Sequence, residues 1–331
     1  MFIYGVWNMK TVVKTVVLVI LIATFQASAA TPPYGDLGDG TFRNPVLVGG
    51  LGDVTVIRVE GDFYTTFGRT LTVWHSRDLV NWDHISTADT LGLGSPWAPD
   101  IVHHKGRYFI YTTLVDRERP SGSQFMNVVF TADDPAGPWS EPIDLDLYGM
   151  IDPGHITAEN GQRYLYYNKG RWVTLDESGT KVTSEVGQSY DGWIYPDEWV
   201  VECFCLEAPK LLFKDGWYHM LSAQGGTAGP PTAHMVVSAR SRSPEGPWEN
   251  SPHNPLVRTW HDDEKWHRQG HGQIIDDVEG NWWMLYTGYN EDIGPRKIVL
   301  LVPIEWDEEG WPRIPDGTHV DNIMAKPAGS G

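Results

Sequence analysis

Along this chain, short runs alternating apolar and polar residues turn through Gly, Asp or Asn into runs of aromatic and β-branched residues. Asp53 to Val59 turns at Gly61 and Asp62 into Phe63 to Phe67. Ile101 to His104 turns at Lys105 and Gly106 into Tyr108 to Thr112, and Glu159 to Gln162 leads into Tyr164 to Tyr167. Leu211 to Phe213 turns at Lys214 to Gly216 into Trp217 to Leu221, and Ile274 and Ile275 pass Gly280 into Trp282 to Tyr286. Alternation with period two between turn residues predicts β-hairpins. A third run ending in Trp follows most of them, and Gly-Pro-Trp recurs at 137–139 and 246–248.

The hairpins carry a second periodicity. Asp53, Trp97, Asp152, Glu207 and His271 each stand eleven or twelve positions ahead of an aromatic residue, and they are spaced 44, 55, 55 and 64 residues apart. A four-stranded unit needs about 40–50 residues, and loop insertions lengthen it. Five such units predict an all-β, five-bladed β-propeller with the five leading residues on the innermost strands. A two-sheet sandwich leaves the repeat unexplained. No long amphipathic helix or Gly-rich nucleotide loop is present. No linker interrupts the pattern, so a single domain is expected over residues 31–320, with 321–331 as a tail frayed from Lys326 onward.

Residues 1–29 read as a signal peptide. Lys10 and Lys14 precede the apolar run Val16 to Phe25, and Ala27-Ser28-Ala29 resembles a cleavage site. No Cys lies near that site, so no lipid anchor is expected, and a periplasmic or secreted location follows. Removing the two leader lysines takes the formal charge from −18 to about −20, which disfavours nucleic acid and anionic membrane surfaces as partners. The 16 Trp suit either a carbohydrate binder or an aromatic β core. Cys203 and Cys205 are the only cysteines. Their spacing sits at the strained end of disulfide geometry, and free, buried thiols are favoured over a bridge.

Converging leaders would bring two aspartates and a glutamate together. Glycoside hydrolysis needs such a set: one carboxyl protonates the leaving oxygen, a second activates water or attacks carbon. A third raises the donor's pKa by like-charge repulsion. The plainer alternative is a set of carboxylates that only binds water or a metal at the axis.

Several segments resemble glycoside hydrolase family 43 over nearly the whole mature chain. They are Asn44-Pro45, Gly52 to Ile57, His75 to Trp82, Trp97 to Ile101, Ile151 to Pro153, Glu207 to Pro209, Gly270 to Gly272 and Pro303 to Trp306. The resemblance implies a five-bladed propeller and an inverting, mostly exo-acting glycosidase on plant cell-wall polysaccharide. Terminal α-L-arabinofuranose leads the substrate ranking, with β-xylose and β-galactose behind it. It also implies Asp53 as general base, Asp152 as pKa modulator and Glu207 as general acid. His271 matches a histidine that commonly ligates an axial Ca²⁺ through waters, and Arg296 matches an arginine beside the terminal sugar. Trp97 is the expected aromatic wall. Two departures stand out: Val54 replaces the proline usual after the base, and His155 follows the modulator motif, either in the substrate pocket or capping a loop. A non-catalytic carbohydrate-binding propeller, a phosphorylase and a retaining enzyme are the rival readings.

Overall fold

The computed structural model describes residues 34–329; the expected leader, residues 1–29, lies outside them. Among the described residues the only helix is one 3₁₀ turn, Asn168–Gly170, and the rest is strand and loop. No helix there is long and apolar enough to cross a membrane.

Five antiparallel sheets follow one another along the chain. Blade 1 comprises Thr55–Val59, Asp62–Thr66, Thr72–Ser76 and Trp82–Thr87. Blade 2 comprises Ser95–His104, Arg107–Val115, Phe125–Ala132 and Ile143–Tyr148. Blade 3 is built from Gly154–Thr157, Arg163–Tyr167, Arg171–Leu175 and Gly187–Gln188. Blade 4 contains Glu207–Lys214, Trp217–Gln224, Met235–Ser241 and Glu249–Asn250, with Val257–Arg258 pairing on its third strand. Blade 5 contains His267–Asp276, Trp282–Asn290, Gly294–Trp306 and Pro312–Arg313. The middle strands are almost wholly buried, as in Arg107–Val115 and Met235–Ser241. Such strands read as continuous apolar or β-branched runs rather than alternating ones.

Inter-blade bonds run around a closed ring. Thr55 Oγ1 donates to Asp100 Oδ1 at 2.9 Å, joining blades 1 and 2. His155 N donates to Asp100 Oδ2 at 2.7 Å, joining blades 2 and 3. Glu159 N donates to the Tyr218 hydroxyl at 3.1 Å between blades 3 and 4. Arg268 N donates to Pro231 O at 2.8 Å between blades 4 and 5. The Gln273 amide closes the ring: it accepts from Val56 N and donates to Val56 O, both at 2.9 Å. The two Gly-Pro-Trp segments play matching parts. Trp139 Nε1 reaches back to Ser86 Oγ of blade 1 at 3.0 Å, and Trp248 Nε1 reaches back to Ser189 Oγ at 3.3 Å.

A small sheet of Gly35–Asp36, Thr41–Arg43 and Ile323–Ala325 ties the two ends of the described chain. The tail therefore departs from expectation. Lys326 N donates to Gly40 O, its ammonium pairs with Asp36 and Asp78, and Ala328 N donates to Asp277 Oδ2. Backbone and ionic partners hold residues 321–329 in place, so this segment is docked rather than frayed.

Candidate active site

The chain bends at the upper end of each inner strand through a residue with positive φ at or beside the leading position. These are Asp53 (58°), Ala98 (33°), Asp152 (62°), Ala208 (52°) and His271 (51°), and blade 5 adds a second at Arg268 (49°). Blades 2, 4 and 5 show the accompanying register shifts at Trp97/Asp100, Glu207/Lys210 and Gly270/Gln273. A non-Gly residue in the left-handed region costs about 1–3 kcal/mol and persists only where its surroundings fix it. Bulges re-aim side chains beside functional sites. Five equivalent kinks turn the leading side chains onto the axis. Asp53 and Asp152 consequently precede their strands, Thr55–Val59 and Gly154–Thr157, rather than lying within them as the repeat predicted.

The kinked ends surround a cavity of about 160 Å³ that Asp53, Trp97, Asp152, Glu207, His234 and Lys297 line, with Arg69, Thr227 and His271 also contributing. Of the seven residues singled out in the sequence, Asp53, Trp97, Asp152, Glu207 and His271 meet here. Two do not. Arg296 is exposed and absent from the wall; its neighbour Lys297 enters instead, because adjacent strand residues face opposite sides. The Lys297 stem lies where a Cβ on Gly52 would overlap it. His155 is also outside the wall and neither lines the pocket nor caps a loop. It is buried in blade 3, where its ring stacks on Tyr111 at 5.6 Å and its Nε2 accepts from Arg163 Nε at 3.0 Å.

The two outer carboxylates of the trio are driven in opposite directions. Burial alone would raise the Asp53 pKa, but the contacting Lys297 ammonium, with His271 3.7 Å away, outweighs it and holds Asp53 well below the usual carboxylate range. Burial and then the Asp152 charge push Glu207 up, to about 8, against the pull of Lys297. Burial and then Asp53 push Asp152 up as well, to about 7. Asp152 and Glu207 therefore titrate as a pair that retains a proton at neutral pH.

His234 reinforces this. Its Nδ1 lies 3.3 Å from Arg268 O, a carbonyl that can only accept, so Nδ1 carries the proton. Burial lowers its pKa to about 4, leaving Nε2 as a lone pair 3.8 Å from Glu207 Oε1. A bare lone pair there favours the protonated carboxyl.

Behind Asp152 the axis is plugged. Lys210, with a side chain 1% exposed, donates to Pro99 O and Asp100 Oδ1 at 2.8 Å and to Pro153 O at 3.3 Å. This ammonium takes three inward oxygens that a cation would otherwise use. His271 Nε2 is buried without a partner, which leaves one nitrogen donor for a ligand. Calcium requires six to eight oxygens, and no cluster of three His, Cys, Asp or Glu suited to a metal occurs among the described residues. Waters would have to supply most of the ligands of the expected calcium, with His271 Nε2 as the protein's own contribution.

The cysteines depart from expectation too. Cys203 and Cys205 form a disulfide with Cα atoms 5.1 Å apart. They lie in the irregular segment before Glu207, with Cys205 at φ 26°, not on an extended strand beneath the acid. Lys297 and His234 were not singled out in the sequence. Lys297 carried a signal, since it follows Arg296 on a strand and one of any such pair faces inward. His234 carried none.

The family model for glycosyl hydrolases family 43 matches residues 42–312. The non-reducing end alpha-L-arabinofuranosidase BoGH43B of Bacteroides ovatus is 31% identical over 90% of this chain and 56% of its own. A putative beta-xylosidase of Escherichia coli is 29% identical, over 86% and 59%. The GH43 protein BlXynB of Bacillus licheniformis superposes with a TM-score of 0.76 at 29% identity, over 88% of this chain and 59% of that one. The chain thus spans somewhat over half the length of these relatives. With a family match over most of its length, on a five-bladed propeller with three carboxyl groups at the axis, the chain belongs to glycosyl hydrolases family 43.

Proposed function

We propose that this protein is an inverting exo-glycosidase that removes a terminal sugar, foremost α-L-arabinofuranose, from plant cell-wall oligo- or polysaccharide. One observation carries the reading: a carboxylate kept ionised by Lys297 and a carboxyl kept protonated by burial and Asp152 face the same small cavity. Titratable groups whose surroundings push their pKa values apart mark the base and the acid.

In this reading Glu207 protonates the glycosidic oxygen as the bond to the anomeric carbon breaks. Asp53 accepts a proton from the water that attacks the opposite face, so inversion follows from a single displacement. Asp152 keeps the proton on Glu207 and receives a hydrogen bond from the Ala208 amide. Lys297 holds Asp53 in its ionised form. The small cavity and its plugged floor support removal of one terminal ring over cleavage within a threaded chain.

Relatives named as xylosidases support β-xylose as the second reading. Hydrolysis of a panel of 4-nitrophenyl glycosides decides between them. The arabinofuranoside should be the best substrate, and Glu207→Gln and Asp53→Asn should each lower kcat by at least a hundredfold. A folded wild-type protein with no activity on any glycoside would support the binding-module alternative instead. Export rests on the leader reading. An N-terminus near Ala30 in protein recovered from the periplasm or medium would support it, and an intact Met1 or Met9 would count against it.

A further inference from the structure

Glu207 opens the inner strand of blade 4, and a residue in the left-handed region stands on each side of it, Cys205 (φ 26°) and Ala208 (52°). Ala208 lies inside the strand, where the register shift between Glu207 and Lys210 accommodates it. Cys205 has no strand around it. Among the described residues, no backbone–backbone hydrogen bond reaches residues 203–205. The bonds nearest to them lie on either side: Glu202 N donates to Gly225 O at 2.9 Å, and Lys169 N donates to Leu206 O at 2.8 Å. The gap between is closed covalently. Cys203 and Cys205, the only cysteines of the chain, are joined across Phe204.

A bridge between Cys and the second residue after it closes a small ring that contains the whole Phe204 backbone. It therefore restrains the dihedrals inside that ring. A non-Gly residue stays in the left-handed region only where its surroundings hold it there. At Cys205 the covalent ring supplies that restraint. The Phe204 side chain supplies little, since it stacks on Tyr195 at 5.7 Å but remains 42% exposed. Rotation about φ of Cys205 redirects the chain toward Leu206 and Glu207, two residues on. A general acid has to sit within hydrogen-bond reach of the oxygen it protonates, and a displacement of about 1 Å is enough to cost most of its effect.

The bridge is also accessible. Both cysteines are half-buried, and Cys205 lines a hollow of about 400 Å³ beside the catalytic cavity, with Glu207 shared between the two. Exposed bridges are the ones that exchange readily with external thiols.

We propose that the Cys203–Cys205 bridge is a redox-sensitive switch on the glycosidase. Bridged, it holds Glu207 in place for proton transfer; reduced by a dithiol, it frees the segment and lowers turnover. The claim rests on Glu207 as the general acid. In the reduction, one thiolate of the dithiol attacks a bridge sulfur and displaces the other as a thiolate. The second thiol of the reagent then attacks the mixed disulfide. The reagent leaves as a cyclic disulfide, and Cys203 and Cys205 gain two electrons and two protons as free thiols. In an oxidising compartment the bridge persists and the acid is placed; in a reducing one it is lost.

Titration of the wild-type enzyme with dithiothreitol tests the proposal. Alkylation by iodoacetamide, read by mass spectrometry, should rise from no cysteine to both. In parallel, kcat on the best aryl glycoside should fall about tenfold or more, with KM changing less. Reoxidation with the cyclic disulfide of the reagent should restore kcat. The double variant Cys203→Ser, Cys205→Ser should show the low kcat permanently and ignore dithiothreitol. Amide hydrogen exchange should quicken on reduction in peptides covering residues 199–208 and stay unchanged in blades 1 and 2. A bridge that dithiothreitol leaves intact would overturn the assignment, as would two free thiols with an unchanged kcat. So would exchange that quickens in every blade, because the bridge would then hold the whole fold and not the acid. If the double variant does not fold, reduction of the native protein decides alone. Absence of glycoside hydrolysis by the bridged enzyme would instead count against the function proposed above, while hydrogen exchange would still decide whether the bridge holds this segment.

Discussion

Replacing Lys297 with Met should move the whole pH–rate profile in the alkaline direction. The Lys297 ammonium favours the ionised forms of Asp53, Asp152 and Glu207 alike, so its loss raises all three. The active form needs Asp53 ionised and Glu207 protonated. The acid limb, where Asp53 gains its proton, therefore moves up, and so does the alkaline limb, where Glu207 loses its own. The two shifts differ in size. Lys297 contacts Asp53 directly and is the largest force holding it ionised, whereas for Glu207 it ranks behind burial and Asp152. An opposite charge in contact typically moves a carboxyl by about 1–3 pH units, or about 1.4–4 kcal/mol. Both carboxyls keep about a fifth of their side-chain surface open, 22% for Asp53 and 20% for Glu207, so solvent screening favours the lower half of that range. The acid limb should rise by about 1–2 units, the alkaline limb by less, and the bell should narrow. Lys297→Arg, which keeps the cation, should leave the limbs nearly in place. The assay is kcat/KM on the best aryl glycoside from pH 3 to 10, with near-UV circular dichroism to verify folding. A lower profile with unmoved limbs would reduce Lys297 to a structural role, and an acid-ward shift would refute the electrostatic argument.

Asp152→Asn should shift the profile the other way. Loss of the Asp152 charge removes a force that raises Glu207, so the alkaline limb should fall to lower pH in the same assay. An unmoved limb would remove Asp152 from its tuning role. Lys210→Met leaves Asp100 buried and unpaired, and urea unfolding should show a loss of about 3–5 kcal/mol; a loss under 1 kcal/mol would mean water reaches that site.

Much of the fold was legible because the repeat is written twice, in hairpin alternation and in the spacing of the five leading residues. The strands and turns follow from local chemistry, and blade order follows from sequence order. The kinks were not legible. Asp53 and Asp152 adopt positive φ although neither is Gly, and only the packed ring imposes that. Within the site, the acids were visible because carboxylates at repeat positions are conspicuous. Lys297 was not, since Arg296 beside it offers the same charge and only the register of a strand decides which faces inward. His155 differs for a related reason: a polar residue next to a motif suggested the substrate pocket or a loop cap, while the fold buries it between Tyr111 and Arg163. Asp100 and Lys210, 110 residues apart, could not be paired before the blades were placed in a ring. The cysteines pair because the chain bends at Cys205, with φ 26°, instead of extending, an outcome that the Cys-x-Cys spacing alone disfavours.

The central claim is a single displacement by water, with Glu207 as acid and Asp53 as base. Proton NMR of the first product released from 4-nitrophenyl α-L-arabinofuranoside tests it most directly. The account predicts that β-arabinofuranose appears first and then equilibrates, and that Glu207→Gln and Asp53→Asn release almost none. First appearance of the α anomer, or full turnover by either variant, would contradict it.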